Sequence, residues 1–82
     1  MRKVFVASLS WNTDENGLAN HFSQIGEVED TVIVKDRETK RSRGFGFVTF
    51  ANAEDAARAV KELDNSDLDG RTIKVNMAKE RD

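Results

Sequence analysis

Residues 43–50, with the sequence RGFGFVTF, decide the fold of this chain. The alternation of apolar with other side chains predicts a β-strand here, in spite of the two glycines. In such a strand Val48 and Phe50 share one face with the glycines, while Phe45 and Phe47 share the other. A two-layer sandwich covers one face of its sheet with helices, so one of these two pairs must lie towards solvent.

The rest of the chain supplies three more strand signals and two helix signals. Strands are predicted where β-branched and aromatic residues cluster or alternate with polar ones. Helices are predicted where apolar residues recur every three or four positions after a small polar capping residue. The predicted elements are a strand over residues 4–9, a helix that starts within residues 12–15 and stops at Gly26, strands over residues 28–34 and 44–50, a helix that starts at Asn52 with the apolar stripe Ala53, Ala56, Ala57, Val60 and Leu63, and a strand over residues 72–77.

The element order is therefore βαββαβ, with a polar and charged loop over residues 35–42 and a turn over residues 68–71. Short connections and right-handed crossovers favour an α+β sandwich of the ferredoxin-like type. A chain of 82 residues has room for one small core. We expect residues 1–82 to form a single domain in which two helices pack on one sheet.

The first strand repeats the parity of residues 43–50. Val4 and Val6 fall on one face and Phe5 falls on the other. If the valines pack on the helices, three of the five phenylalanines lie on the open face, and an apolar patch of this kind usually marks a binding surface. The reverse parity would bury the phenylalanines in a plain core. It is less favoured because it leaves equally large apolar residues in water.

Charge is segregated along the chain. Thirteen Lys and Arg stand against 15 Asp and Glu, and a net charge of −2 argues against binding through bulk positive charge. Only Arg58 and Lys61 among the basic residues fall on a predicted helix, whereas 11 of the acids lie on the helices and their flanking turns. Residues 35–43 hold five basic side chains against Asp36 and Glu38. A net acidic chain can thus present a basic, aromatic face, which suits stacked bases and phosphates.

Several classes of function lack the residues that they need. The absence of Cys excludes a disulfide scaffold, a thiolate zinc site and a cysteine nucleophile. His21 has no second metal ligand in the pattern, and Ser8, Ser10 and His21 make no catalytic triad. No apolar run approaches membrane-spanning length. We expect an intracellular, monomeric and non-enzymatic binding module that uses no metal or other cofactor and does not contact a membrane.

Residues 43–50 resemble the octamer of the RNA recognition motif (RRM) family, K/R-G-F/Y-G/A-F-V-x-F/Y, at every position. Residues 4–9, VFVASL, resemble the family hexamer, and the resemblance extends over residues 3–78. Residues 36–39 and 42–47 look most like glycine-rich RNA-binding proteins of the plant type. The resemblance implies a four-stranded antiparallel sheet, in the order fourth, first, third and second strand, packed on two helices.

The resemblance also implies that single-stranded RNA binds on the open face of the sheet. Bases would stack on Phe5 and Phe45, and Phe47 would pack against sugars between neighbouring nucleotides. Arg43 would bind phosphate. Further contacts would come from Lys74 and Asn76, which would read base edges; from Val32 and Val34 on the same face; from the basic loop residues Lys35, Arg37, Lys40 and Arg41; and from Ala78, Lys79 and Arg81 after the last strand.

Three departures from the family pattern concern positions where glycine or asparagine is common. Ala7 and Ser8 replace Gly and Asn/Gly in the hexamer, which leaves Phe5 intact. Lys40 replaces a loop glycine and adds charge. Asn65 replaces a turn glycine, and Asn tolerates positive φ.

Two alternatives remain open at this point. Trp11 follows the first strand, and we favour its packing against the helix end or the sheet rim over a contact with a base. The whole domain could instead be a protein-interaction module that docks a peptide or another domain on the sheet or on the acidic helical face. The open sheet also leads us to expect tolerance for single-stranded DNA, with 2′-hydroxyl contacts favouring RNA.

Overall fold

This computed structural model describes residues 2–78 of the chain. Within them, two helices and six strands are joined by loops and turns. Their order is that of the ferredoxin-like βαββαβ fold, which confirms the predicted fold class. A short two-stranded hairpin is added before the last strand. The elements are β1 (Lys3–Ala7), α1 (Glu15–Ser23), β2 (Val28–Lys35), β3 (Ser42–Phe50), α2 (Ala53–Leu63), β4 (Asp67–Leu68), β5 (Arg71–Thr72) and β6 (Lys74–Met77).

The main sheet has four antiparallel strands in the order β2-β3-β1-β6. This is the order that the family resemblance implies, with β1 and β3 in the centre. Phe5 lies opposite Phe47 on β3 and opposite Asn76 on β6. The two strands that carry the octamer and the hexamer are thus neighbours, and their side chains form one continuous surface.

The parity predicted for these strands is correct. Val4, Val6, Val48 and Phe50 are all fully buried on the face that α1 and α2 cover. Phe22 of α1 packs against Phe50, with 6.2 Å between ring centroids. The reverse parity is therefore wrong, and the phenylalanines of the other set lie on the face without helices.

The last predicted strand, over residues 72–77, is divided in the structure. Thr72 belongs to β5, which pairs with β4 in a two-stranded hairpin, and only β6 joins the main sheet. Asp69 and Gly70 both have positive φ, 52° and 83°, as a tight two-residue hairpin turn requires. Ile73, between β5 and β6, is fully buried, and its carbonyl accepts the Asn65 N–H at 2.9 Å. The Ile73 N–H in turn donates to the carbonyl of Ser66 at 2.9 Å, so Ile73 pairs with the residues just before β4.

The helices begin as expected, but the buried stripe of α2 differs from the prediction. Asp14 caps α1 by accepting the Gly17 N–H at 2.7 Å. On α2, Ala53 and Ala57 are exposed, whereas Ala59 is fully buried. Alanine suits either side of a helix, so only the packing decides which of its alanines face the core. Within residues 2–78, no helix has the length and apolar character that crossing a bilayer requires.

Candidate nucleic-acid interface

Three phenylalanine rings form a cluster on the open face of the sheet. The ring of Phe5 lies 5.7 Å from that of Phe45 and 5.5 Å from that of Phe47, centroid to centroid. The rings are tilted by 45° and 55°, so they contact one another without stacking face to face. Each is half-buried rather than fully in solvent, because the rings cover part of each other's surface.

Other residues that were predicted to contact RNA lie next to this aromatic cluster on the neighbouring strands. Asn76 is opposite Phe5 and exposed, and Val32 is opposite Phe47 with 44% of its surface exposed. Lys74 lies one row further along, opposite Ala7, and its ammonium group donates to the Asn65 side-chain oxygen. Lys74 must give up or share that bond to contact a base. Val34 is half-buried near the end of β2.

Two cations lie over the rings. The guanidinium carbon of Arg43 is 5.9 Å from the centroid of Phe45, and the ammonium nitrogen of Lys3 is 4.8 Å from that of Phe47. Both distances allow cation–π attraction. The sequence reasoning missed Lys3, although it shares strand parity with Phe5 and could have been found on that ground.

The loop between β2 and β3 presents the predicted basic side chains to solvent. Asp36 organises this loop, since its carboxylate accepts the N–H groups of Thr39 at 3.1 Å and Glu38 at 2.8 Å. These two hydrogen bonds, that of Thr39 first, lower the pKa of Asp36 below its ordinary value. The main chain closes the loop through Asp36 N–H to Arg41 O at 2.8 Å. The exposed basic residues on this loop and its margins are Lys35, Arg37, Lys40 and Arg41.

One member of this group is partly neutralised by a neighbour. The Lys35 ammonium lies 3.7 Å from a carboxylate oxygen of Glu15 at the start of α1, and both side chains are about half exposed. An exposed pair of this kind contributes little to stability. Among residues 2–78, Arg37, Lys40 and Arg41 form no salt bridge.

Three of the four residues that depart from the family pattern have left-handed backbone, and Ala7 does not. Ser8, Lys40 and Asn65 have φ values of 61°, 60° and 66°. Glycine adopts this region freely, whereas other L-residues do so at a cost of about 1–2 kcal/mol, less for Asn. The backbone at these positions has therefore kept the conformation that favours glycine. The structure supplies the reason that glycine or asparagine is common there.

Three of the predicted contact residues, Ala78, Lys79 and Arg81, come after the end of β6 in the sequence. Ala78 is buried, and its N–H donates to the carbonyl of Lys3 at 3.0 Å, so this N–H is committed to the sheet. Lys79 and Arg81 lie outside the described residues.

The preferred interpretation of Trp11 is wrong. We expected it to pack against the helix end or the sheet rim, but 75% of its surface is exposed. Its neighbours Leu9 and Ser10 are buried instead and occupy the space against the fold.

His21 has a structural environment away from the open face. Its Nε2 lies 3.0 Å from the hydroxyl of Ser66, which itself donates to the carbonyl of Leu63 at 2.6 Å. Burial lowers the pKa of His21 below its ordinary 6.5, and the charge of Asp69 opposes this shift in part. Across residues 2–78, no three His, Asp or Glu side chains are grouped so that they could hold a metal ion.

The comparisons with known proteins agree with this geometry. A family model described as "RNA recognition motif" matches residues 4–74. Glycine-rich RNA-binding protein 1 of Mycosarcoma maydis is 54% identical over 79 residues, which are 96% of this chain and 45% of that protein. The mitochondrial glycine-rich RNA-binding protein 4 of Arabidopsis thaliana is 51% identical over 96% of this chain and 58% of its own length. The chain thus spans about half the length of these relatives.

Solved structures match over the whole fold. One described as the RNA-binding protein PG1 superposes with a TM-score of 0.93 at 38% identity, covering 100% of this chain and 99% of that one. A second, the Rna15 RRM with bound RNA (GU), has a TM-score of 0.86 at 28% identity and covers 99% of this chain and 86% of that one. The octamer, the hexamer, the topology and the family match agree, and the chain belongs to the RNA recognition motif family.

Proposed function

We propose that this chain acts as a single RRM domain that binds single-stranded RNA on the open face of its sheet. The observation that carries the proposal is the cluster of Phe5, Phe45 and Phe47, three half-exposed rings on a face that no helix covers. An aromatic ring on a rigid strand is a stacking partner for any base, and each such stack contributes about 1–3 kcal/mol. The names of the related glycine-rich RNA-binding proteins and the RNA-bound structural neighbour support the same ligand.

Stacking is assigned to Phe5 and Phe45, which lie diagonally across the central strands with 5.7 Å between ring centroids. Phe47, directly opposite Phe5, can pack against a sugar between neighbouring nucleotides. Exposed Asn76, directly opposite Phe5, offers an amide that can both donate to and accept from a base edge. Lys74 is the next candidate for a base edge.

The cations supply the phosphate contacts. Arg43 is exposed and already lies over Phe45, so a phosphate that follows a base stacked on this ring comes within its reach. The basic loop adds further cations at one end of the sheet. Each phosphate neutralised releases counterions, so the logarithm of the affinity should fall steeply with the logarithm of the salt concentration.

The test is binding of a pool of fluorescein-labelled, random-sequence RNA octamers, followed by fluorescence anisotropy at two salt concentrations. Phe45→Ala should weaken binding by about 5- to 150-fold, the loss of one stacked base. Circular dichroism should show that the variant stays folded. If Phe45→Ala binds the pool as tightly as the parent, the stacking mechanism is wrong.

A matched pair of charge variants separates local phosphate contacts from general charge. Arg43→Ala and Lys61→Ala each remove one cation, but Lys61 lies exposed on α2, away from the open face. Only Arg43→Ala should weaken binding and flatten its salt dependence. A flat salt response of the parent, together with peptide binding that survives loss of Phe5 and Phe45, would instead favour the protein-interaction module. DNA octamers of the same design should bind, more weakly than RNA, if 2′-hydroxyls contribute.

A further inference from the structure

The loop between β2 and β3 carries a side-chain hydroxyl, that of Thr39, in addition to its cations. Within residues 2–78 the exposed residues with a hydroxyl side chain are Ser23, Thr39 and Thr72. Ser23 donates to a main-chain carbonyl of α1 at 2.9 Å, and Thr72 donates to the Asp67 carboxylate at 3.0 Å. The Thr39 hydroxyl accepts the Arg41 N–H at 3.3 Å and donates to no group in the described part of the chain. Its proton and its second lone pair are therefore free.

The turn around Thr39 is accessible and can change shape without disturbing the sheet. Every residue from 35 to 41 is exposed. The carboxylate of Asp36 accepts the N–H groups of Glu38 and Thr39, and the main chain of Asp36 bonds to that of Lys40 and Arg41. Because these hydrogen bonds join residues 36–41 only to one another, an enzyme can reshape the turn at a local cost.

Cations flank the hydroxyl on both sides in the sequence. Arg37 precedes Thr39 by two positions, and Lys40 and Arg41 follow it directly. None of these three forms a salt bridge with another described residue. The segment thus offers uncompensated positive charge to a cleft lined with carboxylates.

A phosphoryl group on Thr39 would remove most of the positive charge of the loop. Residues 35–43 hold five basic side chains against two acidic ones, an excess of three. A phosphothreonine carries about −2 at pH 7, which would leave about +1. Its oxygens would lie beside Lys40 and Arg41, and a guanidinium binds phosphate through paired hydrogen bonds. These cations would then pair within the chain rather than with RNA phosphates.

We propose that Thr39 accepts a phosphoryl group from a protein kinase that selects basic flanking residues, and that this modification weakens RNA binding. The inference concerns the regulation of the proposed function and rests on it. In the transfer, the Thr39 oxygen forms a bond to the γ-phosphorus of a nucleoside triphosphate. The bond from that phosphorus to the oxygen that bridges it to the β-phosphorus breaks. The electron pair leaves with the nucleoside diphosphate, and the hydroxyl proton passes to a base of the kinase.

The aromatic cluster should keep its function in the modified domain. The ring contacts of Phe5 with Phe45 and Phe47 involve no residue of the turn. Stacking and the cationic contacts of the loop should therefore contribute independently. Phe45→Ala should weaken RNA binding by the same factor in the modified and the unmodified domain.

The test compares the unmodified domain with the same chain made by chemical synthesis with phosphothreonine at residue 39. Both are titrated into the labelled RNA octamer pool at two or more salt concentrations. Affinity near physiological salt should fall by about tenfold, and the plot of log affinity against log salt should become shallower by about 1.4. The second value is the loss of two phosphate contacts to a single strand, at about 0.7 each.

Matched variants separate local charge from the loss of the hydroxyl and from general charge. Thr39→Glu adds one negative charge and should weaken binding in the same direction by a smaller factor. Thr39→Val adds none and should bind like the parent. Ser23→Glu adds one negative charge on α1, in the helical layer, and should also bind like the parent. Equal losses for Ser23→Glu and Thr39→Glu would overturn the local effect.

The acceptor assignment is tested with Mg–ATP and the catalytic domain of a kinase that prefers basic flanking residues. Mass spectrometry of proteolytic peptides should find the phosphoryl group on Thr39, and Thr39→Val should abolish its incorporation. Modification of Ser23 or Thr72 with Thr39 left free would overturn the assignment.

The failures of the two proposals are distinguishable. If the domain with phosphothreonine binds the octamer pool as tightly as the unmodified one, the regulatory inference is wrong and the proposed function stands. If the unmodified domain does not bind the pool at low salt, the proposed function fails, and the regulation of RNA binding fails with it. Equal thermal midpoints of the two forms would confirm that the modification acts on binding. A form that is unfolded by circular dichroism would contradict this.

Discussion

The two faces of the sheet consist of alternate residues of the same strands, yet they differ in how far their side chains are buried. On the covered face Val4, Val48 and Phe50 are fully buried against the helices. On the open face Phe5 and Phe45 contact each other but keep part of their rings in solvent. Residue type does not distinguish the faces, because phenylalanine occurs on both. Burial does: a phenylalanine under the helices is fully buried in the core, and one on the open face keeps part of its ring in solvent.

This difference predicts that Phe→Ala on β3 lowers stability at a covered position and lowers RNA binding at an open one. Phe50→Ala should lower the free energy of unfolding by about 3–5 kcal/mol, through lost transfer energy and the cavity left against Phe22. A domain of this size has a total stability of about 4–12 kcal/mol, so this is a large share. Urea denaturation followed by circular dichroism measures the effect.

Phe45→Ala is the matched control for Phe50→Ala. It should change the free energy of unfolding by about 1 kcal/mol or less, while its effect falls on RNA binding. Should Phe50→Ala fail to fold, Phe50→Leu provides a milder variant, with an expected loss of about 1–2 kcal/mol. Equal losses of stability for Phe45→Ala and Phe50→Ala would contradict the division between the faces.

Gly44 lies near the start of β3, and its substitution should lower both the stability of the domain and its affinity for RNA. Its φ is 85°, and the register of β2 against β3 shifts between Ile33 and Lys35 at this point. Gly44→Ala should therefore destabilise the domain by about 1–2 kcal/mol and also weaken RNA binding, because Arg43 and Phe45 flank it. Thermal unfolding and anisotropy check the two effects on the same sample.

Ser8→Gly is the reciprocal variant. Ser8 has φ 61°, so glycine there removes strain, and the gain is offset by the greater freedom of glycine in the unfolded chain. We expect a net gain in stability of about 1 kcal/mol or less, with RNA binding unchanged. A loss of stability in Ser8→Gly would show that the strain at Ser8 is smaller than the entropic cost of glycine in the unfolded chain.

The smallest expected effect is a pH dependence confined to the helical layer. Burial lowers the pKa of His21 in the folded state, so the unfolded chain binds this proton more readily. Stability should be full above the unfolded value of 6.5 and should decrease as the pH falls towards the lower folded value. Thermal unfolding between pH 5 and 7.5 measures it, and His21→Gln should remove this part of the dependence. RNA affinity per folded molecule should not follow it, and a His21-dependent change in that affinity would contradict the separation of the layers.

Much of the candidate site could be predicted because strand parity is a short-range property. Once residues 43–50 and 4–9 are strands, alternation separates Phe45 and Phe47 from Val48, and Phe5 from Val4. Burial of the valines under the helices then places the three phenylalanines together on the open face. Lys3 follows from the same rule and was missed only because it precedes the predicted start of β1. The buried side of α2 could not be obtained in this way, since alanines such as Ala57 and Ala59 suit core and surface alike.

What the sequence determined by itself was the class of fold, the strand order through its family motifs, and the identity of the aromatic face. These depend on local periodicity and on the two short sequence motifs, residues 4–9 and 43–50. Only the tertiary structure decided that the hairpin β4–β5 separates from β6, that Ser8, Lys40 and Asn65 share left-handed backbone, and that Trp11 stands in solvent beside the basic loop. The physical reason is that these features depend on contacts between segments far apart in the sequence, such as Leu9 with Gly44. A local sequence pattern does not show that Leu9 and Ser10 are buried while Trp11 is exposed.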